Sequence, residues 1–75
     1  MARPTSPTEI ADDITTRIRE GRWAPGDPLP TYTQLASEYQ VSRTTIHMVI
    51  ILLKDRGVVT SRPGRAVFVA EHLDL

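Results

Sequence analysis

The chemistry for binding a polyanion is concentrated in six consecutive residues near the middle of the chain, Ser42-Arg43-Thr44-Thr45-Ile46-His47. A serine that precedes a helix accepts hydrogen bonds from the N–H groups of the first turn, so Ser42 is predicted to begin a helix. Arg43 at that end could grip guanine O6 and N7 in the major groove of DNA. Threonine hydroxyls and the N–H groups of a first turn suit phosphate oxygens. The pattern therefore predicts a helix that reads DNA with its N-terminus.

The residues that follow His47 form a continuous apolar run, which composition alone allows as a buried strand or as a helix. The cap at Ser42 favours the helix. So does the spacing of four apolar residues that would share one helical face, namely Ile46, Val49, Ile50 and Leu53. Gly57 is typical of the position just beyond a helix. We therefore predict a helix over residues 43–56.

A second, shorter helix is predicted immediately before the reading helix. Thr31 and Gln34 have the spacing of a capping box, which places this helix at about residues 32–39. Gln40 and Val41 then make the turn. A short helix, a tight turn and a second helix with Arg and Thr on its first turn are typical of a helix-turn-helix that binds the major groove.

A first helix is predicted near the N-terminus, over about residues 7–21. The run Ser6-Pro7-Thr8-Glu9 combines a capping serine, a proline in the first turn and a glutamate that completes a capping box. Isoleucines recur every four residues from Ile10 to Ile18, which gives one apolar stripe. Prolines and Gly26 exclude a helix between Trp23 and Pro30. We expect Leu29, within that segment, to point into the core.

Two β-prone runs around a turn predict a hairpin over residues 58–69. Its tip carries Arg62, Gly64 and Arg65. Residues 70–75 are expected to be a loosely held tail. The whole chain of 75 residues is then a single small domain, able to bury about 60 % of the surface of its unfolded chain.

Charge is unevenly distributed along a chain whose net charge is zero. Residues 1–40 hold four basic and six acidic side chains, a net charge of −2. Residues 41–70 hold five basic and one acidic, a net charge of +4. The basic segment coincides with the predicted reading helix and hairpin, which is the distribution expected of a nucleic-acid surface.

Several classes of protein are disfavoured. There is no cysteine for a disulfide or a zinc site, and no apolar run approaches the roughly 18 residues of a membrane span. The two histidines, His47 and His72, are far apart, and a phosphate-binding glycine loop is absent. The carboxylates of Asp12 and Asp13 are expected on a solvated face. We expect a cytoplasmic, nucleoid-associated protein that is not an enzyme and has no cofactor, no metal and no membrane partner.

The run from about Ile10 to Val69 resembles the DNA-binding domain of the GntR-type regulators of bacterial transcription. The matching pieces are Gly21, Pro25-Gly26-Asp27-Pro28-Leu29-Pro30, Leu35-Ala36, Val41-Ser42-Arg43-Thr44-Thr45-Ile46, Leu53, Arg56-Gly57-Val58-Val59 and Pro63-Gly64-Arg65 with Phe68-Val69. The resemblance implies an α+β fold, mainly α: a winged helix-turn-helix of three helices with a C-terminal β-hairpin wing. It also implies that the third helix enters the major groove and the wing the adjacent minor groove.

Ten residues are expected at the DNA: Thr31, Thr33, Ser42, Arg43, Thr44, Thr45, His47, Arg62, Gly64 and Arg65. The residues alone support part of this set, because Gly64 lets the backbone approach the groove and arginines suit a narrow, negative minor groove. Capping alone would also explain Thr31 and Thr33. Solvation would explain His47, and hairpin solubility would explain the two wing arginines.

The sequence departs from the GntR pattern at several positions. Thr33 and His47 stand where the family usually has arginines, which reduces the fixed positive charge. Gln40 stands where a glycine often makes the turn. Apolar side chains replace the usual polar ones on the outer face of the third helix, at Met48, Ile51 and Leu52. These three would form an exposed face for a second copy of the chain or another partner, or would pack beneath Leu73 and Leu75.

The sequence therefore favours a sequence-specific, double-stranded-DNA-binding regulator, a repressor that acts as a homodimer. The alternative is a winged-helix module that binds protein through Met48, Ile51 and Leu52. The resemblance covers the DNA-binding domain and not the effector domain usual in the family, so we expect no small-molecule effector. A piece of a longer regulator would have the same sequence.

Overall fold

The computed structural model describes residues 3–61 and 66–71. They form α1 (Pro7–Arg19), α2 (Tyr32–Tyr39) and α3 (Arg43–Asp55), followed by β1 (Val59–Ser61) and β2 (Val67–Val69). The two strands pair antiparallel, with Val59 opposite Val69 and Ser61 opposite Val67. The predicted fold class, three helices and a hairpin with mainly helical content, is confirmed. The apolar run after His47 is helical.

Each helix begins where its capping residues predict. The Ser6 hydroxyl accepts from the Glu9 N–H at 3.2 Å, and the Glu9 carboxylate accepts from the Ser6 N–H at 3.2 Å. Hydrogen bonds from the Ser6 backbone and side chain lower the pKa of the Glu9 carboxyl. α1 ends at Arg19, two residues before the predicted end, because Gly21 adopts a φ of 85° and leaves the helix. α3 ends at Asp55, with Arg56 as its C-cap.

The core is built from one apolar stripe of each helix and from the hairpin. α1 packs mainly on α3, and α2 also packs on α3. The buried side chains are Ile10, Ala11, Ile14, Ile18, Leu29, Leu35, Ala36, Tyr39, Ile46, Val49, Ile50, Leu53, Val58, Val59, Val67 and Val69. α3 therefore lies at the centre of the fold, with its N-terminus outside the core.

The proline-rich loop between α1 and α2 packs along the hairpin. The Leu29 N–H donates to the Val67 carbonyl at 2.8 Å, and Pro28 pairs opposite Phe68. Leu29 is buried, as predicted. The expectation of a loose tail from residue 70 is wrong at Ala70, which is buried and donates its N–H to the Val58 carbonyl at 2.9 Å.

Polar contacts tie α1 to α2. The Arg17 guanidinium lies 2.6 Å from a Glu38 carboxylate oxygen and 3.2 Å from an Asp13 oxygen. The Tyr39 hydroxyl donates to Asp13 at 2.6 Å. Burial and this hydrogen bond raise the pKa of the Tyr39 phenol well above its usual range. The expectation of a solvated face is therefore wrong for Asp13, whose carboxylate bridges the two helices.

Asp12, the other carboxylate expected on a solvated face, also has a partner. Its carboxylate lies 2.8 Å from the Arg56 guanidinium, which joins α1 to the end of α3. Arg56 lies in the basic segment that was expected to face nucleic acid, but its guanidinium forms an ion pair between α3 and α1.

Candidate nucleic-acid interface

The first turn of α3 projects from the core with its polar side chains in solvent. The Ser42 hydroxyl accepts from the Thr45 N–H at 3.1 Å and lies 3.1 Å from the Thr45 hydroxyl. Arg43 and Thr44 are exposed, whereas Thr45 is half-buried. The earliest N–H groups of a helix have no partner within it, so this turn presents hydrogen-bond donors beside an exposed guanidinium.

The turn between α2 and α3 fixes the position of that first turn. Gln40 adopts the left-handed conformation with φ 57° and ψ 48°, and the Val41 N–H donates to the Ala36 carbonyl at 3.0 Å. The Arg3 guanidinium donates to the Gln40 side-chain oxygen. Only residues 40–42 separate the two helices, so the start of α3 lies close to α2.

The start of α2 lies beside α3. The Thr31 hydroxyl accepts from the Gln34 N–H at 3.1 Å, while the Gln34 amide oxygen accepts from the Thr31 N–H at 2.8 Å. Thr33 is exposed on the first turn. The ring of Tyr32 lies 5.9 Å from that of His47, at a tilt of 53°. His47 is thus an exposed residue in contact with α2.

One groove brings several of these residues together. It has a volume of about 390 Å³ and lies between the start of α2, one side of α3 and the hairpin. Among the described residues its lining is Pro30, Thr31, Tyr32, Thr33, Arg43, Lys54, Ser61, Ala66 and Val67. We call it the hairpin groove. Thr31, Thr33 and Arg43, all expected at the DNA, therefore line one concave surface.

Lys54 is a lining residue that the sequence analysis did not single out. It follows Arg43 by eleven residues, which is about three helical turns, so both lie on the same side of α3. That spacing was the available signal. Arg43 and Lys54 have no ion pair within residues 3–61 and 66–71, whereas Arg17 and Arg56 each pair with a carboxylate.

The expected wing contacts, Arg62, Gly64 and Arg65, lie outside the described residues. Ser61 and Ala66, which flank that tip, are described and exposed. The strands thus lead towards the groove-lining side of α3, as Ser61 itself lines the hairpin groove.

Two of the three apolar residues expected on the outer face of α3 are exposed, and the third is half-buried. Met48 is 51 % exposed and Ile51 is 52 % exposed. Leu52 is half-buried and packs against the core, so the expectation that it lies fully off the core face is wrong. Together with Pro7 and Thr8, these three residues line a shallow groove of about 400 Å³. Leu73 and Leu75, the alternative cover for this face, lie outside the described residues.

The sequence disfavours metal-binding and membrane-spanning proteins, and two properties of the structure bear on these classes. Nowhere in the described part of the chain do three or more histidines or carboxylates gather closely enough to hold a metal ion. None of the helices within residues 3–61 and 66–71 combines the length and the apolar character that crossing a bilayer would need.

The helix order, the short turn of residues 40–42 and the antiparallel hairpin define a winged helix-turn-helix domain. The family described as bacterial regulatory proteins of the gntR family matches residues 7–69. The chain belongs to this family, and it has the DNA-binding domain of a GntR-type transcription regulator. The family consists of transcription regulators and not of enzymes.

Curated relatives include regulators that are longer than this chain. The chain is 36 % identical over 64 residues to the mannosyl-D-glycerate transport/metabolism system repressor MngR of Escherichia coli, covering 85 % of this chain and 27 % of the relative. It is 36 % identical to the Exu regulon transcriptional regulator of Escherichia coli, covering 85 % and 25 % respectively. The chain therefore spans about a quarter of the length of these relatives.

Solved structures are similar over most of the chain. The DNA-binding domain of AraR in complex with operator ORX1 matches with a TM-score of 0.81 and 31 % identity, covering 85 % of this chain and 77 % of that one. YtrA from Sulfolobus acidocaldarius, a GntR-family transcription factor, matches with a TM-score of 0.81 and 31 % identity, covering 89 % and 70 %.

Proposed function

We propose that this chain is a sequence-specific repressor domain that binds double-stranded operator DNA as a homodimer. The observation that carries the proposal is the exposed first turn of α3, where Thr44 is open to solvent and Arg43 lines one groove with Thr31 and Thr33. The similarity to AraR in complex with operators supports it. So does the similarity to relatives named as repressors.

In this proposal α3 enters the major groove and the hairpin enters the adjacent minor groove. Arg43 holds a guanine edge with two hydrogen bonds, and Thr44 binds a phosphate or a base. Ser42 and Thr45 bond to each other, so their first role is to hold the helix start in place. His47, whose ring lies 5.9 Å from that of Tyr32, stands where the family usually has an arginine and contacts the DNA from the same face of α3.

Thr31 and Thr33 approach the same strand from α2, and Arg62, Gly64 and Arg65 extend the contact into the minor groove. Two copies on an inverted repeat would place half-sites about one helical turn apart. A ligand of this kind is found on the chromosome, so we place the protein in the cytoplasm, on the nucleoid.

The test begins with selection of bound sequences from a random duplex pool at a stated salt concentration. We expect an enriched inverted repeat. Arg43→Ala should then lose about 1–3 kcal/mol of specific binding, because a bidentate guanine contact is removed. Arg19→Ala, which removes an exposed arginine at the end of α1, is the matched control and should bind as the parent does. Equal retention of selected and random duplexes would refute sequence-specific binding.

A second candidate function is a protein-interaction module, and the exposed side chains of Met48 and Ile51 favour it. Monomeric proteins seldom leave neighbouring large apolar side chains in solvent without a partner. Under the main proposal, this face holds the second copy of the chain. Under the alternative, it holds a different protein and α3 does not read DNA.

Light scattering separates these two functions. The main proposal expects a dimer that Ile51→Gln converts to a monomer, whereas Ser37→Gln, an exposed position on α2, leaves it a dimer. A strict monomer that selects no duplex, but retains a protein partner only when Ile51 is intact, would establish the alternative.

A further inference from the structure

We propose that the hairpin groove seats one backbone phosphate of the bound duplex, and that Lys54 is its principal charged donor from the far end of α3. This inference rests on the proposed function, because it concerns the ligand of that function. It adds a binding site for a phosphodiester anion. It also adds Lys54, a residue of α3 that is not among the ten residues expected at the DNA.

The charge of the lining is the first support. Arg43 and Lys54 bring two positive charges to the groove, and its described lining contains no carboxylate. The hydroxyl-bearing side chains of Thr31, Tyr32, Thr33 and Ser61 complete the polar part of the lining. The Thr31 oxygen accepts from Gln34, which leaves its own O–H free to donate. Cations and hydroxyl donors without a carboxylate suit an oxyanion.

The second support is that some basic residues are held in ion pairs and Lys54 is not. Arg17 and Arg56 are held in ion pairs between helices, at 2.6 Å from Glu38 and 2.8 Å from Asp12. Lys54 comes two residues before Arg56, yet within the described ranges no carboxylate pairs with it. An exposed ammonium without a partner, on the wall of a groove, is available to an external anion.

The position of the groove is the third support. It lies between α3 and the hairpin, the two elements proposed to enter adjacent grooves of the duplex. A major groove and its neighbouring minor groove are separated by a single sugar–phosphate backbone. That backbone must therefore pass between α3 and the hairpin, and the concave surface there is the hairpin groove.

The reach of lysine explains how a residue in the last turn of α3 can take part. Side chains on a helix lean towards its N-terminus, so the four-carbon stem of Lys54 carries its ammonium back towards the first turn. Lysine binds phosphate as a point charge, without the planar geometry that arginine needs. Lys54 would thus hold the backbone from one end of the groove, while Arg43 at the other end contacts the guanine edge and adds its positive charge to the groove.

The experiment compares Lys54→Gln with the parent on a selected operator over a series of salt concentrations. We expect affinity to fall roughly tenfold at low salt. The slope of log affinity against log salt should become shallower by about 0.9 for each copy of the chain bound, because one phosphate contact is lost per copy. Base preference should stay unchanged. Lys54→Arg should restore most of the slope, and the control Arg19→Gln should leave it as in the parent.

Operators with a single neutral methylphosphonate, moved along the backbone, locate the phosphate. One position per half-site should weaken the parent and have little further effect on Lys54→Gln. An unchanged slope in Lys54→Gln, or equal sensitivity of both proteins at every position, would overturn the inference while leaving operator binding intact. Failure of the parent to select any operator would instead overturn the proposed function.

A free phosphate presents the same oxyanion chemistry, so inorganic phosphate is titrated into the DNA-free protein and followed through the backbone amide resonances. We expect shifts around Lys54 and Ser61 only at millimolar concentrations. Saturation at micromolar concentrations, with no coupled methylphosphonate position, would assign the groove to a free phosphate ligand and refute the phosphodiester seat.

Discussion

Gln40 has the left-handed backbone conformation on which the helix-turn-helix geometry depends, with φ 57° and ψ 48°. A residue with a Cβ atom pays about 1–2 kcal/mol for this conformation, whereas glycine adopts it readily. The side chain compensates in part, because its oxygen accepts a hydrogen bond from Arg3 on the surface. Gln40 therefore keeps a backbone conformation that its own side chain disfavours, and the packing of α2 and α3 holds it there.

We predict that Gln40→Gly raises the free energy of unfolding by about 0.5–1 kcal/mol. Urea denaturation followed by circular dichroism measures the change. Gln40→Ala is the control, since it loses the Arg3 contact and keeps the Cβ strain, and it should be no more stable than the parent. A glycine variant less stable than the alanine variant would show that the turn is not strained.

Tyr39 links α1 and α2 through a buried phenol whose hydroxyl donates to Asp13. Burial and that bond raise the pKa of Tyr39, so the folded protein retains the phenolic proton at a pH where the unfolded chain loses it. The contribution is complete below the ordinary phenol pKa of about 10. It declines as the pH rises towards the raised value of the folded state.

We predict that the free energy of unfolding falls as the pH increases above about 10, and that Tyr39→Phe reduces the steepness of this fall. At neutral pH the same variant should cost about 1–2 kcal/mol, because Asp13 loses one donor. Urea titrations at several alkaline pH values measure both effects. Tyr32→Phe, at a half-buried tyrosine on α2, should keep the steep fall; an identical pH dependence for Tyr39→Phe would contradict the assignment.

At the scale of the elements, the N-terminus of α3 is capped differently from those of α1 and α2. α1 and α2 begin with reciprocal capping boxes, whereas α3 begins with Ser42 alone. The N3 position of α3 is Thr45, which bonds to the Ser42 hydroxyl and carries no carboxylate. A carboxylate there would complete the box but would also repel phosphate. The helix proposed to bind DNA is thus capped without negative charge.

We predict that Ser42→Ala lowers the free energy of unfolding by about 1 kcal/mol, because the cap of α3 is lost. Ser42→Asp should restore that stability, since aspartate caps as well as serine does. It should still weaken operator binding through repulsion of phosphate. Denaturation and fluorescence anisotropy are measured on the same samples. Full operator affinity in a stable Ser42→Asp protein would place this turn away from the DNA.

At the scale of the whole molecule, zero net charge conceals a separation of charge. The acidic side chains of residues 1–40 include Asp12, Asp13 and Glu38, whose carboxylates form ion pairs or hydrogen bonds between helices. The groove between α3 and the hairpin has cations without carboxylates in its described lining. The potential that a ligand meets therefore depends on the face it approaches and not on the sum of charges.

We predict that DNA affinity falls steeply with salt although the protein carries no net charge. The slope should be about 0.9 for each phosphate neutralised, because counterions are released from the duplex. Anisotropy titrations over a range of potassium chloride concentrations measure it. A salt-independent affinity would contradict a binding surface formed by the basic face.

The order of elements and much of the candidate site followed from local sequence, because capping boxes, apolar periodicity and turn residues act over a few neighbouring positions. Ser42, Thr31 and Ser6 each marked a helix start for this reason. The resemblance to GntR-type domains rested on the same short-range pieces, and the family match covers them.

Tertiary packing determined what these local signals could not. In the sequence, three charged residues look like ordinary surface charges: Asp12, Asp13 and Arg56. They contact residues of other helices only because α1 packs against α2 and α3 in the folded protein. Leu52 looks like an outer-face residue until α3 packs, and Ala70 looks like tail until its N–H meets the Val58 carbonyl. Lys54 and Ser61 line one groove with Thr31 because the fold brings together residues that are distant in sequence. The sequence by itself determined the elements and the reading turn, whereas the fold decided which charges remain free for a ligand.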